Sequence, residues 1–124
     1  MSNARDISSM KENQVAFAWV KFDGGLAAAS MILESYNVNS ITDNGVGNYD
    51  VNFETAASSA DYAALASSDS RVAATQHSII ATGASTTSGG KTNTATYANI
   101  RCFNASNSTS SADCMVSVSV FEGQ

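Results

Sequence analysis

The sequence predicts an all-β protein, an antiparallel β-sandwich or small barrel of about seven or eight strands. Three observations support this class. Apolar and polar residues alternate strictly near the middle and at the end of the chain. Turn-forming residues recur roughly every eight to twelve positions. Charged residues make up only 14% of the chain, against roughly 25% in an average globular domain, so Ser, Thr and Asn supply the polar surface.

The first 14 residues differ from the rest of the chain. Residues 1–14 are polar apart from Ile7 and Met10, which predicts a short N-terminal arm, either anchoring or flexible. Residues 15–124 have the length and composition of a single β domain. We find no apolar core of a signal peptide and no segment long enough to insert into a membrane.

The first predicted strand covers residues 15–22 and ends at the glycine pair that begins with Gly24. The following segment, 26–33, is rich in alanine and leucine, which favour helix, but strands surround it. A strand and a short irregular segment both remain open there.

The segment 35–53 has the clearest pattern and is predicted to form a β-hairpin. Its first strand contains Val38 and Ile41, and Asp43-Asn44-Gly45 with Gly47 supplies residues that tolerate positive φ. Alternation in the second strand then places Tyr49, Val51 and Phe53 on one face.

The second half of the chain continues with strands and two polar loops. The loops lie at 83–93 and 104–113 and are dominated by small polar residues, which is typical of exposed connections. The remaining strands are predicted at 61–66, 71–82, 94–103 and 114–121.

The two cysteines, Cys102 and Cys114, flank the second loop and are both predicted to face the core. A cross-strand disulfide near the base of one hairpin is one interpretation. Two buried free thiols are the other, favoured by folding in a reducing cytosol.

The net charge of −5 argues against nucleic acid as a partner, because phosphate binding needs clustered cations. Residues 23–69 contain seven acids and no Lys or Arg. A solvated acidic face explains this bias most simply. A cation site near Asp43 and Asp50 is a hypothesis without a motif, because the spacing does not match an EF-hand loop.

No pattern in the chain predicts catalysis, a cofactor or a metal. His77 is the only histidine, and no nucleophile elbow accompanies it. A zinc site would need His77 with both cysteines, which lack the usual ligand spacing. We therefore expect a non-enzymatic protein. Trp19 and the tyrosines are predicted to lie in the core or at interfaces, or to stack on sugars.

Three segments together resemble a module of tailed-bacteriophage virion proteins. They are Phe17-Ala-Trp-Val-Lys-Phe-Asp-Gly24, the 35–53 hairpin, and Ala60-Asp-Tyr-Ala63. The similar proteins are mostly tail fibres and other appendages. This chain has Lys21, Asp23 and Asp50 where the family pattern has two asparagines and a threonine, and the match ends at residue 63.

The resemblance implies a virion surface protein made in the host cytoplasm, often a homotrimer. Packing of the subunits through Phe17, Trp19 and Tyr49 would follow. As a tail-fibre or knob-type appendage it would present loop residues to a host-surface glycan or protein, and the candidate binding residues are Ser85, Thr86, Thr87, Lys91, Asn104 and Asn107.

Two alternatives remain. A decoration protein would stabilise the capsid or tail through other virion proteins, with residues 1–14 as a docking arm; the 124-residue length favours this. An exported adhesin-like subunit is a weaker alternative.

Overall fold

The computed structural model describes residues 15–69, 77–81, 92–104, 107–111 and 114–122. Within these ranges the chain forms nine β-strands in two antiparallel sheets. The predicted all-β class is confirmed, and the architecture is a β-sandwich. In chain order the strands are β1 (Ala18–Asp23), β2 (Ile32–Tyr36), β3 (Val38–Asp43), β4 (Asn48–Phe53), β5 (Ala63–Asp69), β6 (His77–Ala81), β7 (Tyr97–Asn104), β8 (Asn107–Ser111) and β9 (Met115–Phe121).

Sheet A has the strand order β2-β1-β9-β5, and sheet B has the order β3-β4-β7-β6, with β8 paired to β7. Neighbouring strands in each sheet therefore include pairs distant in sequence, such as β1 with β9 and β4 with β7. The N-terminal and C-terminal described strands lie side by side in the centre of sheet A.

The core lies between the sheets and follows the period-2 alternation of the strands. Aromatic side chains meet edge to face inside it: Phe22 packs on Tyr49 with ring centroids 5.2 Å apart, and Phe53 contacts Phe17 at 5.3 Å and Tyr62 at 5.5 Å. The buried apolar residues are Ala18, Val20, Phe22, Met31, Val38, Ile41, Tyr49, Val51, Phe53, Ala57, Ala98, Ile100, Cys102, Cys114, Val116, Val118 and Val120.

Asn37 is the corner at which the chain leaves sheet A and enters sheet B. Its φ of 54° lies in the left-handed region, where asparagine is one of the few tolerated residues. Its side-chain oxygen accepts a hydrogen bond from the Thr55 amide at 2.8 Å. Its side-chain nitrogen donates to the carbonyl oxygens of Phe17 and Thr55, both at 3.3 Å. The predicted first strand of the hairpin is thus divided at Asn37, and its two parts belong to different sheets.

The predicted hairpin turn is confirmed in the connection between β3 and β4. Gly45 has φ 120° and Gly47 has φ 65°, so both glycines use conformations that other residues rarely adopt. The Asp43 carboxylate accepts a hydrogen bond from the Gly45 amide at 2.9 Å, which closes an Asx-type turn.

Two other segments differ from the sequence-based expectation. Within 26–33, a single 3-10 turn at Ala28–Ser30 precedes β2. The irregular segment is therefore correct for the first part of this range, and the strand is correct for its end. The prediction of a loop over 104–113 is wrong for its middle part, because β8 pairs there with β7. Residues 71–76 and 82–91, from the predicted strand 71–82 and loop 83–93, lie outside the described residues, as does the arm at 1–14.

Cys102 and Cys114 form a disulfide, and both residues are buried. Of the two open interpretations the disulfide is the one observed, but the bond does not lie at the base of one hairpin. Cys102 belongs to β7 of sheet B, whereas Cys114 immediately precedes β9 of sheet A, so the disulfide joins the two sheets. The Gly24 amide donates to the Cys114 carbonyl at 2.9 Å beside it.

Candidate interaction surface

The outer face of sheet A carries one continuous row of side chains across all four strands. The register pairs Trp19 of β1 with Tyr36 of β2 and with Ser119 of β9, and Ser119 in turn with Leu65 of β5. Directly paired residues on neighbouring strands point to the same face of a sheet. We call Tyr36, Trp19, Ser119 and Leu65, in their spatial order, the apolar row.

The large members of the apolar row are exposed to solvent. Relative exposure is 56% for Tyr36, 38% for Trp19 and 62% for Leu65. Val20 on β1 and Val118 on β9 face inward and are buried, so the two central strands that hold the row are anchored in the core. Three large apolar side chains are thereby presented on one four-stranded surface, which is a geometry suited to contact with another molecule.

A second row on the same face is polar. Lys21 pairs with Glu34 on β2 and with Ser117 on β9, and Ser117 pairs with Ser67 on β5. All four residues are exposed. We call them the polar row; its formal charges are one positive and one negative, so they cancel within the row.

The structure separates the three residues predicted at a subunit interface. Trp19 is exposed in the apolar row. Tyr49 is fully buried, packs against Phe22, and donates a hydrogen bond from its hydroxyl to the Gly24 carbonyl at 3.3 Å. Its prediction as an interface residue is wrong, because its side chain points into the core. Phe17 is half-buried and packs against Phe53 inside the sandwich.

The predicted loop residues are only partly within the described structure. Ser85, Thr86, Thr87 and Lys91 lie outside the described residues. Asn104 and Asn107, predicted in a loop, instead end β7 and begin β8, where they pair in register. The two asparagines therefore belong to a hairpin, with two residues between them, and the prediction that both lie in an extended loop is corrected.

The outer face of sheet B holds a buried polar cluster. Asn99 and Asp50 pair in register, and both are almost fully buried. The Asn99 side-chain amide donates to the Asp50 carboxylate at 2.8 Å, and it also lies 3.0 Å from the Asn48 side-chain oxygen and 3.1 Å from the Tyr49 carbonyl. Buried polar groups that are hydrogen-bonded in this way hold strands in register. The cluster therefore has a structural explanation.

The same face contains a buried Arg101. Its guanidinium lies 5.2 Å from the centroid of the Phe103 ring, in cation–π contact two residues along β7. The guanidinium is thus buried against the sheet, and it is not exposed to anionic partners.

The cation hypothesis at the hairpin turn is not supported by the register. Asp50 pairs with Thr42, whereas Asp43 pairs with the core residue Tyr49, so the two carboxylates lie on opposite faces of sheet B. Among the described residues, no group of three or more His, Cys, Asp or Glu is close enough to hold a metal ion. His77 begins β6 opposite Asn104.

The Tyr62 hydroxyl anchors the segment before β7 to the core. Its single proton is shared between the carbonyl oxygens of Tyr97, at 2.6 Å, and of Thr94, at 2.9 Å. Burial raises the pKa of Tyr62 well above its usual value, and the neighbouring Tyr97 raises this pKa further. The hydroxyl therefore stays protonated at neutral pH and acts as a structural donor.

The chain matches no protein-family model, no characterised protein and no solved structure in the comparisons made. No helix in the described ranges is long and apolar enough to cross a membrane. The surface must therefore be interpreted from its own geometry. Sequence patterns identified Trp19 and Tyr36 as aromatic candidates but missed Leu65, because only the pairing of β5 with β9 brings it into the same row.

Proposed function

We propose that this chain is a non-enzymatic structural protein of a bacteriophage virion, a surface appendage of the tail-fibre or knob type that contributes to host attachment. The observation that carries a contact function is the apolar row. Trp19, Tyr36 and Leu65 remain exposed on a sheet whose other face packs against the core. The virion assignment rests on the resemblance of residues 17–63 to the phage module.

The disulfide supports a location at the virion surface. Such bonds persist outside the reducing cytosol, and a particle made in the host cytoplasm reaches an oxidising environment on release. Because Cys102 and Cys114 join the two sheets, the bond would reinforce the sandwich where the virion is exposed.

Host attachment is tested with the purified chain on an array of bacterial surface glycans and on whole bacterial cells. We expect binding that is lost when Ser85, Thr86 and Thr87 are replaced by alanine and Lys91 by glutamate. Asn39→Ala, at an exposed position of β3, is the control and should leave binding unchanged. Binding that survives the loop substitutions would place attachment elsewhere, and the absence of binding would contradict the appendage function.

A capsid or tail decoration protein is the second candidate, and the apolar row favours it because contact with other virion proteins would cover these exposed side chains. In this case residues 1–14 dock on neighbouring subunits. Particles produced with a chain lacking residues 1–14 should lose this protein while its circular-dichroism spectrum stays β-type. Normal incorporation of the truncated chain would contradict the docking role of the arm.

A further inference from the structure

We propose that the disulfide between Cys102 and Cys114 is a redox-sensitive latch that fixes one end of the sandwich. With the bond formed, two exposed turns at this end keep their arrangement. When a small thiol reduces the bond, these turns loosen while the opposite end of the sandwich stays folded. In a chain made in a reducing compartment, the latch closes on release into an oxidising one. The inference goes beyond the proposed function and does not depend on it.

The disulfide lies at the end of the sandwich where two turns meet the strands that carry the cysteines. Gly24, in the connection after β1, donates its amide to the Cys114 carbonyl at 2.9 Å. The Cys102 amide donates to the carbonyl of Gly47, in the hairpin turn, at 2.8 Å. We call this the cystine end, defined by Gly24, Gly47, Cys102 and Cys114. Because each cysteine is hydrogen-bonded to one turn, a single covalent bond connects both turns.

The two turns at the cystine end are buried at the base and exposed at the tip. Gly24 and Gly47 are buried where the turns join the strands. Leu26 and Val46, within two residues of these glycines, are 41% and 59% exposed. The latch therefore acts on the part of this end that solvent and other molecules reach.

The opposite end of the sandwich is held by contacts that do not involve sulfur. The chain itself passes between the sheets at Asn37, whose side chain is hydrogen-bonded to the Phe17 carbonyl and to the Thr55 amide. The Tyr62 hydroxyl, just before β5 of sheet A, is hydrogen-bonded to the carbonyl of Tyr97 in sheet B at 2.6 Å. These contacts stay intact when the disulfide is reduced.

At the cystine end, the described noncovalent contacts between the sheets include a long hydrogen bond. The Tyr49 hydroxyl donates to the Gly24 carbonyl at 3.3 Å, which exceeds the usual length for an O–H donor. The Tyr49 ring also packs edge to face on Phe22. Reduction leaves the cystine end dependent on contacts of this kind, so that local opening there needs less free energy than global unfolding.

Both cysteines are inaccessible in the folded chain, because Cys102 and Cys114 are 0% and 1% exposed. Reduction by dithiothreitol takes two exchange steps. One reagent thiolate attacks a cystine sulfur and forms a mixed disulfide, and the second reagent thiolate then closes the reagent's own disulfide and releases the protein thiol. Two electrons and two protons pass from the reagent to the cysteines. Oxidised glutathione reverses the reaction, and in both directions the reagent needs the cystine end to open.

Amide hydrogen exchange of the full chain, measured by NMR with and without dithiothreitol, tests the latch. Trapping of the thiols under denaturing conditions verifies that the bond is reduced. The reporters are the hydrogen-bonded amides of Gly24 and Cys102 at the cystine end and of Phe53 and Ala57 at the opposite end. On reduction, we expect protection to fall at least about tenfold more at Gly24 and Cys102 than at Phe53 and Ala57.

The matched variant is Cys102→Ala combined with Cys114→Ala, which lacks the bond and cannot respond to the reagent. Its exchange should resemble that of the reduced wild type, with or without dithiothreitol. Reoxidation of the reduced wild type with oxidised glutathione should restore the protection of Gly24 and Cys102. This measurement needs no substitution, so the test stays available if the variant fails to fold.

Three results would overturn the proposal: equal losses of protection at the two ends, unchanged protection of Gly24 and Cys102 in the fully reduced chain, or loss of the β-type circular-dichroism spectrum on reduction. The first would make the bond a general stabiliser of the fold. A chain that shows the latch but neither binds cells nor enters particles would remove the proposed function and leave this inference. A chain that attaches to cells without showing the latch would do the reverse.

Discussion

The corner at Asn37 allows a test of how one side chain divides a strand between two sheets. Three variants separate the contribution of the backbone from that of the side chain. Asn37→Gly keeps a residue that tolerates φ of 54° but removes the amide group. Asn37→Ala removes the amide group and places a Cβ-bearing residue without local hydrogen bonds in the left-handed region. Asn39→Ala, at an exposed position of the following strand β3, is the control.

The expected magnitudes follow from the contacts of Asn37. The bond from the Thr55 amide at 2.8 Å should contribute about 1 kcal/mol, and the two bonds at 3.3 Å should contribute less. With the backbone entropy of glycine, Asn37→Gly should lower the free energy of unfolding by about 2 kcal/mol. Left-handed strain makes the loss about 3 kcal/mol for Asn37→Ala. Asn39→Ala should stay within about 0.5 kcal/mol.

Urea unfolding of each variant, followed by Trp19 fluorescence and by circular dichroism, measures these differences. Both probes should report the same transition if sheets A and B unfold together. Equal losses for Asn37→Gly and Asn37→Ala would refute the contribution of backbone strain. Losses below about 0.5 kcal/mol for both would refute the role of Asn37 as the corner that fixes the two sheets.

Three further predictions concern the core. Gly24→Ala should lower the free energy of unfolding by about 3 kcal/mol, because a Cβ there would lie 2.6 Å from Cζ of buried Tyr49 and 2.9 Å from the Cys114 carbonyl oxygen. An unchanged melting temperature would contradict this close approach. Replacing Cys102 and Cys114 together by alanine should lower the free energy of unfolding by at least about 3 kcal/mol, since their disulfide closes a short loop. Unfolding of the wild type with and without reductant provides the comparison, and equal midpoints would be evidence against the bond. Because the pKa of Tyr62 is raised on folding, its contribution is complete below the unfolded value of 10.0 and declines as pH rises above it. Unfolding in urea at pH 8 and pH 11 should therefore show a steeper loss of stability for the wild type than for Tyr62→Phe, and parallel losses would contradict the burial of this hydroxyl.

Local patterns were sufficient for the elements in which neighbouring residues decide the structure. The alternation of Tyr49, Val51 and Phe53 predicted β4, and the glycines of the turn predicted its positive φ values. The last strand, β9, followed from the same alternation. The prediction of a loop over 104–113 failed because small polar residues suit loops and strands alike, and the pairing with β7 decides between the two.

The interface prediction shows the same limit. Trp19 and Tyr49 both occur in alternating segments, and the pattern defines two faces for each strand without stating which face meets the core. The opposite sheet decides this, because each strand buries the face that packs against the other sheet. Tyr49 lies on that buried face of β4, whereas Trp19 lies on the outward face of β1, in solvent.

The sequence alone determined that this chain folds into antiparallel strands and where its principal hairpin turns, because backbone preferences and period-2 alternation act within a few residues. Only the tertiary structure decided that Asn37 turns the chain between sheets, that Cys102 meets Cys114 across the sandwich, and that Leu65 joins Trp19 in one exposed row. Each of these depends on strand pairs distant in the chain, such as β1 with β9, whose partners and register arise from the packing of the whole core.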